Sequence, residues 1–199
     1  MTSADLPLSP PRWPRGWLGR VRPTVVGVPA RLTALVRAGG RRARVLTAVV
    51  PTTGRPVVVE LGIDPALGHA VRRRLPTSGR HLAVAGPEDH SPADGPEALV
   101  GEVTELTAVL AAHGIGRVDA VVSALAWPTL PAAVVAQVTR VLAPHGAFAL
   151  AGPVALSRHP LRARRIRRLL HEGFDEVVAV PDGWRRVSYL CRRPRSVPG

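Results

Sequence analysis

Lysine and asparagine are absent from the 199 residues of this chain, and cysteine and methionine each occur once. The single cysteine, Cys191, excludes an internal disulfide and a zinc site built from several cysteines, and it fits a reducing compartment. Aromatic residues make up only 4% of the chain, which leaves few rings for stacking on nucleic-acid bases. The N-terminal segment has no apolar run followed by a small-residue cleavage site, so we predict a cytoplasmic protein.

Arginine supplies all 27 basic residues against 14 acidic ones, and the formal net charge is +13. The abundance of Ala, Val, Arg, Pro and Gly is typical of GC-rich coding, so each single arginine carries less functional meaning than usual. Residues 1–50 and 151–199 are strongly basic, whereas 51–150 hold slightly more acids than arginines. This distribution predicts a small-molecule site flanked by a surface for anions, either phospholipid headgroups or nucleic acid.

Three segments are expected along the chain. Residues 1–27 are rich in Pro, Arg and Trp, and they predict a mobile basic arm. Tryptophan among arginines also suits the headgroup layer of a membrane, which makes peripheral membrane contact an alternative for this arm. Residues 28–50 predict N-terminal helices, and residues 51–199 predict the main domain. The uncharged stretch 120–139 has the length of a membrane span, but its prolines divide it into a strand, a turn and a helix.

Strands and helices alternate through the main domain. The predicted strands are 56–61, 81–85, 98–101, 118–125, 146–152, 174–180 and 186–191, and the predicted helices are 64–75, 102–113, 131–142 and 160–172. This order predicts an α/β fold with a mostly parallel, seven-stranded, Rossmann-like sheet that ends in an antiparallel hairpin. In such a sheet, ligands bind beyond the carboxyl ends of the strands.

Four segments carry a resemblance to a known family. They are Val58–Gly62, Val118–Trp127, Val141–Phe148 and Tyr189–Pro194. In this order they resemble class I S-adenosylmethionine (SAM) methyltransferases, and they are most similar to small bacterial phospholipid N-methyltransferases over residues 29–195. The resemblance implies the class I methyltransferase fold and SAM as the cofactor.

The resemblance also implies a cofactor site at the strand ends. Its members would be Glu60, Gly62, Asp64, Ala85, Glu102, Val103 and Ser123. The SAM motif is degenerate, because Asp64 and Ala66 stand where the family has glycines and Ala85 stands where it has a ribose-binding acid. Ala124 and Ala126 replace a glycine and a proline, and a run N-L-P-P-A is missing near residues 183–186.

These departures have physical consequences. Side chains at 64 and 66 obstruct a ligand that approaches the backbone, and Asp64 adds a negative charge beside a helix N-terminus. The alternative explanation for Asp64-Pro65 is a helix cap, with Asp64 as N-cap and Pro65 at the first helical position.

The catalytic residues implied by the resemblance are Ser123, Trp127 and Tyr189. Ser123 would accept a hydrogen bond from the acceptor amine, and Trp127 would cover the methyl-transfer zone and hold an ammonium by cation–π attraction. Tyr189 would line the same pocket, while a buried anchor is the alternative for Trp127. The seven histidines show no metal-ligand spacing, so we predict no metal site and expect them at the surface or at helix ends.

Three functions follow from these residues. The first is SAM-dependent methylation of an amine, with a phospholipid headgroup at an anionic membrane surface as the acceptor. The second is a methyltransferase-fold protein that has lost SAM and serves as a binding or regulatory partner. The third is an RNA adenine N6-methyltransferase. The basic segment 158–168 would face lipid or RNA equally well, or would simply be a solvated helix face.

Overall fold

The computed structural model describes residues 41–87, 95–123, 131–152, 160–183 and 186–195. Its strands are β1 (Val57–Leu61), β2 (Arg80–Ala85), β3 (Glu97–Val100), β4 (Val118–Ser123), β5 (Leu142–Ala151), β6 (Phe174–Gly183) and β7 (Arg186–Pro194). Its α-helices are α1 (Arg41–Leu46), α2 (Pro65–Arg74), α3 (Leu106–Ala112), α4 (Ala132–Val141) and α5 (Pro160–Gly173). Single 3-10 turns occur at Thr47–Val49 and Val103–Glu105.

All the strands belong to one seven-stranded sheet with the order β3-β2-β1-β4-β5-β7-β6. Strands β3, β2, β1, β4 and β5 pair in parallel, whereas β7 is antiparallel to both β5 and β6. The predicted mostly parallel sheet with a terminal antiparallel hairpin is therefore confirmed. From β1 the chain adds β2 and β3 on one side, and then crosses back to add β4 and β5 on the other side. The strand order therefore reverses between β1 and β4, and ligands of such sheets bind at this reversal point.

Helices cover both faces of the sheet. Side chains of α1 and α2 pack on one face with alternate residues of β1 and β4; this cluster includes Val45, Leu46, Val58, Leu67, Val71, Ala120 and Val122. Helices α3, α4 and α5 cover the other face; that cluster includes Val59, Leu61, Val84, Leu106, Val138, Phe148, Ile166 and Leu170. The largely apolar central strands β1 and β4 follow from this arrangement, since strands covered on both faces have few positions in contact with water.

Strand β5 begins earlier than predicted. Leu142 pairs with Val118 and Ala147 pairs with Ala120, so an advance of five residues along β5 matches an advance of two residues along β4. The residues between these pairs, 143–146, form an irregularity that contains Pro144 and Gly146, residue types that favour turns locally. Strand β5 therefore starts at Leu142 rather than at the predicted Gly146, and the topology of the sheet is unchanged.

In the uncharged stretch 120–139, the predicted strand and helix are present as the end of β4 and most of α4, and the predicted turn between them lies outside the described residues. Within the described ranges, none of the helices combines the length and the apolar character needed to cross a bilayer. The predicted arm, the first predicted N-terminal helix and Trp127 lie outside the described residues.

Candidate functional site

The strand ends meet in one row at the carboxyl edge of the parallel strands. Leu61 pairs with Val84 on one side and with Ser123 on the other. Ser123 pairs with Leu150, which in turn pairs with Tyr189. The carboxyl ends of β1, β2 and β4 therefore lie side by side, and this edge gathers most of the predicted site residues.

A glycine turn joins β1 to α2. Gly62 has φ = +79°, a left-handed conformation in which a side chain would be strained. Its N–H donates to the carbonyl oxygen of Val84 at 2.9 Å, which ties the turn to the neighbouring strand β2. The glycine predicted to begin the cofactor motif thus occupies a position that requires glycine.

The buried side chain of Glu60 stabilises this turn through a hydrogen bond. Glu60 is only 1% exposed, and its Oε1 accepts a hydrogen bond from the backbone N–H of Asp64 at 2.8 Å. Its Oε2 lies 3.1 Å from Nε2 of His81 on β2. Both oxygens of the carboxylate are therefore used inside the protein, so Glu60 holds the shape of the site rather than presenting a charge to a ligand.

Asp64 caps helix α2, as the alternative explanation predicted. Its Oδ1 accepts hydrogen bonds from the N–H groups of Ala66 and Leu67, both at 2.9 Å, and Pro65 occupies the first helical position. These two amides are the donors that a ligand anion would use at this helix end. Asp64 therefore converts a typical anion-binding position into a negatively charged one.

Three further predicted residues lie at the ends of β2 and β3: Ala85, Glu102 and Val103. Ala85 ends β2 and is 5% exposed, and its methyl group offers no hydrogen bond to a ribose. Gly101 follows β3, donates its N–H to the carbonyl oxygen of Ala85 at 3.0 Å, and packs so closely on Val109 that a Cβ there would overlap its side chain. Glu102 is consequently held just beyond the edge with an exposed carboxylate, and Val103 is half-buried beside it.

The predicted catalytic residues divide between edge and core. Ser123 is fully buried at the end of β4. Tyr189 is 1% exposed and belongs to the cluster under α3, α4 and α5, where burial raises the pKa of its phenol. Because Tyr189 is two strands away from Ser123 in the same row, their Cα atoms lie about 10 Å apart. Trp127 follows Ser123 closely in sequence but lies outside the described residues.

His81 is the residue that sequence reasoning missed. It was expected at the surface or at a helix end, and that expectation is wrong, because its side chain is 4% exposed. Within the described residues its Nδ1 is buried without a hydrogen-bond partner. Strand alternation was the available signal. His81 lies two residues before Ala83, so the two side chains are on the same face of β2, and Ala83 pairs with Glu60 of β1.

The chemistry of these residues fits SAM at its cationic groups. SAM carries positive charge on its sulfur and on its α-ammonium group, and the Asp64 carboxylate lies beside the glycine turn. Both capping bonds use Oδ1, and Oδ2 accepts no hydrogen bond within the described part of the chain. Asp64 can therefore serve the α-ammonium through Oδ2, while the exposed Glu102 carboxylate provides an acceptor farther along the edge. Ala85 leaves the ribose without the acid that the resemblance led us to expect.

No protein-family model and no curated protein matches this chain. Solved structures do resemble it. The CurJ carbon methyltransferase has a TM-score of 0.55 and 14% identity, over 77% of this chain and 53% of that chain. Human methyltransferase-like protein 13 in complex with SAH gives 0.54 and 17%, over 82% and 79%. Aeropyrum pernix fibrillarin with natively bound S-adenosyl-L-methionine gives 0.54 and 17%, over 71% and 68%.

These similarities establish the fold. The chain has the Rossmann-like class I methyltransferase fold, with the mostly parallel seven-stranded sheet and terminal hairpin described above. It spans about half of the CurJ methyltransferase chain. The sequence identities are too low to carry an activity or a substrate from those proteins to this one.

Proposed function

We propose that this chain is a SAM-dependent methyltransferase that acts on an amine, with a phospholipid headgroup as the acceptor. The observation that carries the proposal is the row of strand ends in which Gly62, Ala85 and Ser123 follow or end three adjacent strands, β1, β2 and β4. A left-handed glycine, an exposed carboxylate at Glu102 and a buried hydroxyl at Ser123 are thereby gathered at one edge.

SAM, when bound, supplies a methyl group on a positively charged sulfur, which an amine lone pair can attack. The chain's own contribution is to bind and to orient, since alignment of two reactants accounts for much of the acceleration of such a transfer. Gly62 lets the ligand approach the backbone, and Oδ2 of Asp64 binds an ammonium group. Glu102 accepts hydrogen bonds from hydroxyl or amino groups at the far end of the site.

Ser123 orients the acceptor. It is fully buried at the end of β4, between Leu61 of β1 and Leu150 of β5. A hydroxyl oxygen there accepts a hydrogen bond from the amine N–H and directs the nitrogen lone pair toward the methyl group. Burial of this position also keeps water away from the reacting atoms.

Binding of the cofactor is the first test. Calorimetric titration with SAM and with S-adenosylhomocysteine should give micromolar dissociation constants for both. Incubation with SAM labelled in its methyl group should then label phosphatidylethanolamine in anionic vesicles. Ser123→Ala should reduce the labelling rate by a larger factor than it reduces SAM affinity. Labelling of small amines but no lipid would limit the proposal to amine transfer, and labelling of RNA alone would replace it by the RNA methyltransferase alternative.

A second candidate is a binding or regulatory protein that keeps the fold without the reaction. The capped helix end at Asp64 and the methyl group of Ala85 favour it, because each removes an interaction that SAM would otherwise gain. Absence of detectable heat with both ligands at several temperatures, from protein with a cooperative thermal transition, would select this candidate over the first.

A further inference from the structure

Helix α5 begins at the same edge of the sheet as the candidate site. Strand β6 is antiparallel to β7, and β7 is antiparallel to β5, so β5 and β6 run in the same direction. Helix α5 lies between them in sequence and is the crossover of this parallel pair. It must therefore start near the carboxyl end of β5 and finish near the amino end of β6. Its first turns are close to the edge at which the other strands end.

The outward side of α5 combines arginines with an exposed leucine. Ile166 and Leu170 are buried against the sheet, which defines the inward side of the helix. Leu161 is 75% exposed, the most exposed large hydrophobic side chain in the described residues. Helical spacing puts it on the same side as Arg164, Arg165 and Arg168, which are all exposed. We call Leu161, Arg164, Arg165 and Arg168 the basic face.

Little of the positive charge on the basic face is neutralised by the residues that the structure describes. Arg168 pairs with Glu172 at 2.8 Å, one turn later on the helix. Arg164 and Arg165 make no ion pair with any residue that the structure describes. These two arginines are in the half of α5 nearest the site, whereas Glu172 is in the half farther from it.

We propose that the basic face docks this protein on an anionic phospholipid bilayer. Arginine binds lipid phosphate through paired N–H donors, and a leucine among arginines enters the boundary between headgroups and acyl chains. RNA would use the arginines but would gain nothing from an exposed aliphatic side chain, and the face carries no aromatic ring for base stacking. This proposal rests on the proposed function in one respect: docking would bring a lipid headgroup, the proposed methyl acceptor, to the carboxyl edge of the sheet.

The chain supplies a matched control for the test. Arg72 and Arg73 are exposed neighbours in the last turn of α2, and because α2 runs back from the carboxyl edge they lie toward the opposite edge. Arg164→Glu/Arg165→Glu and Arg72→Glu/Arg73→Glu change the net charge equally. Far-ultraviolet circular dichroism and thermal unfolding would establish that both variants, and Leu161→Asp, remain folded.

Sedimentation with vesicles gives the readout without SAM, so its failure is distinct from a failure of the proposed function. The full chain should bind vesicles of phosphatidylcholine mixed with phosphatidylglycerol, but not phosphatidylcholine alone. Reversal of Arg164 and Arg165 should weaken binding about 30-fold or more, from the usual contribution of each basic residue at such a surface. Leu161→Asp should also weaken it, and the control should stay within about twofold of wild type.

Three outcomes would overturn the proposal. An equal loss in the α2 control would mean that net charge, rather than the basic face, determines binding. Unchanged binding in both α5 variants would assign docking to another part of the chain. If the α5 variants instead lose affinity for RNA while vesicle binding is absent in wild type, the basic face is a nucleic-acid surface.

Discussion

The imidazole of His81 and the carboxylate of Glu60 form a buried pair, with Nε2 and Oε2 separated by 3.1 Å and side-chain exposures of 4% and 1%. The pair joins β2 to β1 beneath α2. Because the other oxygen of Glu60 accepts the N–H of Asp64, the same carboxylate links two strands to the first turn of the helix. The geometry of the candidate site therefore depends on two almost fully buried residues.

This relationship predicts strong coupling between the two side chains. His81→Ala or Glu60→Ala should each lower the free energy of unfolding by about 3–5 kcal/mol, because each leaves a buried polar partner uncompensated. The double variant should lose less than the sum of the two, by about 0.5–3 kcal/mol. Urea unfolding of the four proteins completes the cycle, and additive losses would show that the pair does not stabilise the fold as a unit.

The two roles of Asp64 can be separated by substitution. Asp64→Asn keeps a side-chain oxygen for the N–H groups of Ala66 and Leu67, so stability should change by only a few tenths of a kcal/mol. Asp64→Ala loses the cap and should be about 1 kcal/mol less stable. If Oδ2 binds the ammonium of SAM, both variants should lose at least about tenfold in SAM affinity, the scale of a charge-assisted hydrogen bond.

Thermal unfolding and calorimetry measure these two effects independently. Equal SAM affinity in wild type and Asp64→Asn would contradict the ammonium contact and leave Asp64 as a cap only. A stability loss in Asp64→Asn as large as in Asp64→Ala would mean that charge, rather than hydrogen bonding, is what the helix end requires.

Substitutions at Gly68 of α2 measure how much space separates this helix from the Glu60–His81 pair. A methyl group there would meet Oε2 of Glu60 at 3.5 Å and the ring of His81 at 3.8 Å, both ordinary contacts. Gly68→Ala should therefore raise the free energy of unfolding by about 0.5–1 kcal/mol, since alanine is the better helix former. Gly68→Leu should lower it by about 1–3 kcal/mol, because the longer side chain must displace the pair. Destabilisation by alanine itself would mean that α2 tolerates no added atom.

Periodicity and turn residues were sufficient to predict most of the fold. The cap at Asp64-Pro65, the seven strands and the terminal hairpin follow from local patterns, because each pattern agrees with its tertiary surroundings. The start of β5 was missed because Pro144 favours a turn locally, while pairing of Leu142 with Val118 extends the strand. Tertiary pairing outweighed local preference at that position.

The candidate site was less predictable, for a reason visible in His81 and Tyr189. A strand position shows which face a side chain occupies but not what lies opposite it across the layer. His81 meets Glu60 only because β1 and β2 pair in one particular register, and sequence spacing does not contain that register. Tyr189 shares the row of Ser123 for the same reason, although its ring belongs to the core.

Burial of Cys191 predicts a loss of stability in alkaline solution. The thiol is fully buried, and desolvation raises its pKa far above the ordinary value of 9.0. Above pH 9 the unfolded chain releases this proton while the folded chain keeps it, so the unfolded state binds fewer protons and stability falls as pH rises. The expected slope is about 1.4 kcal/mol per pH unit. Tyr189, whose pKa burial also raises from 10.0, adds to the decline at higher pH.

The absence of lysine makes this measurement unusually clear, because no ammonium side chain titrates in the same range and arginine stays charged. Urea unfolding between pH 8 and pH 10 should show the decline in wild type and a flatter profile in Cys191→Ala, whatever that substitution does to stability at neutral pH. A thiol reagent should modify the native protein only at the rate of unfolding. An identical slope in Cys191→Ala would mean that the alkaline loss arises from another group.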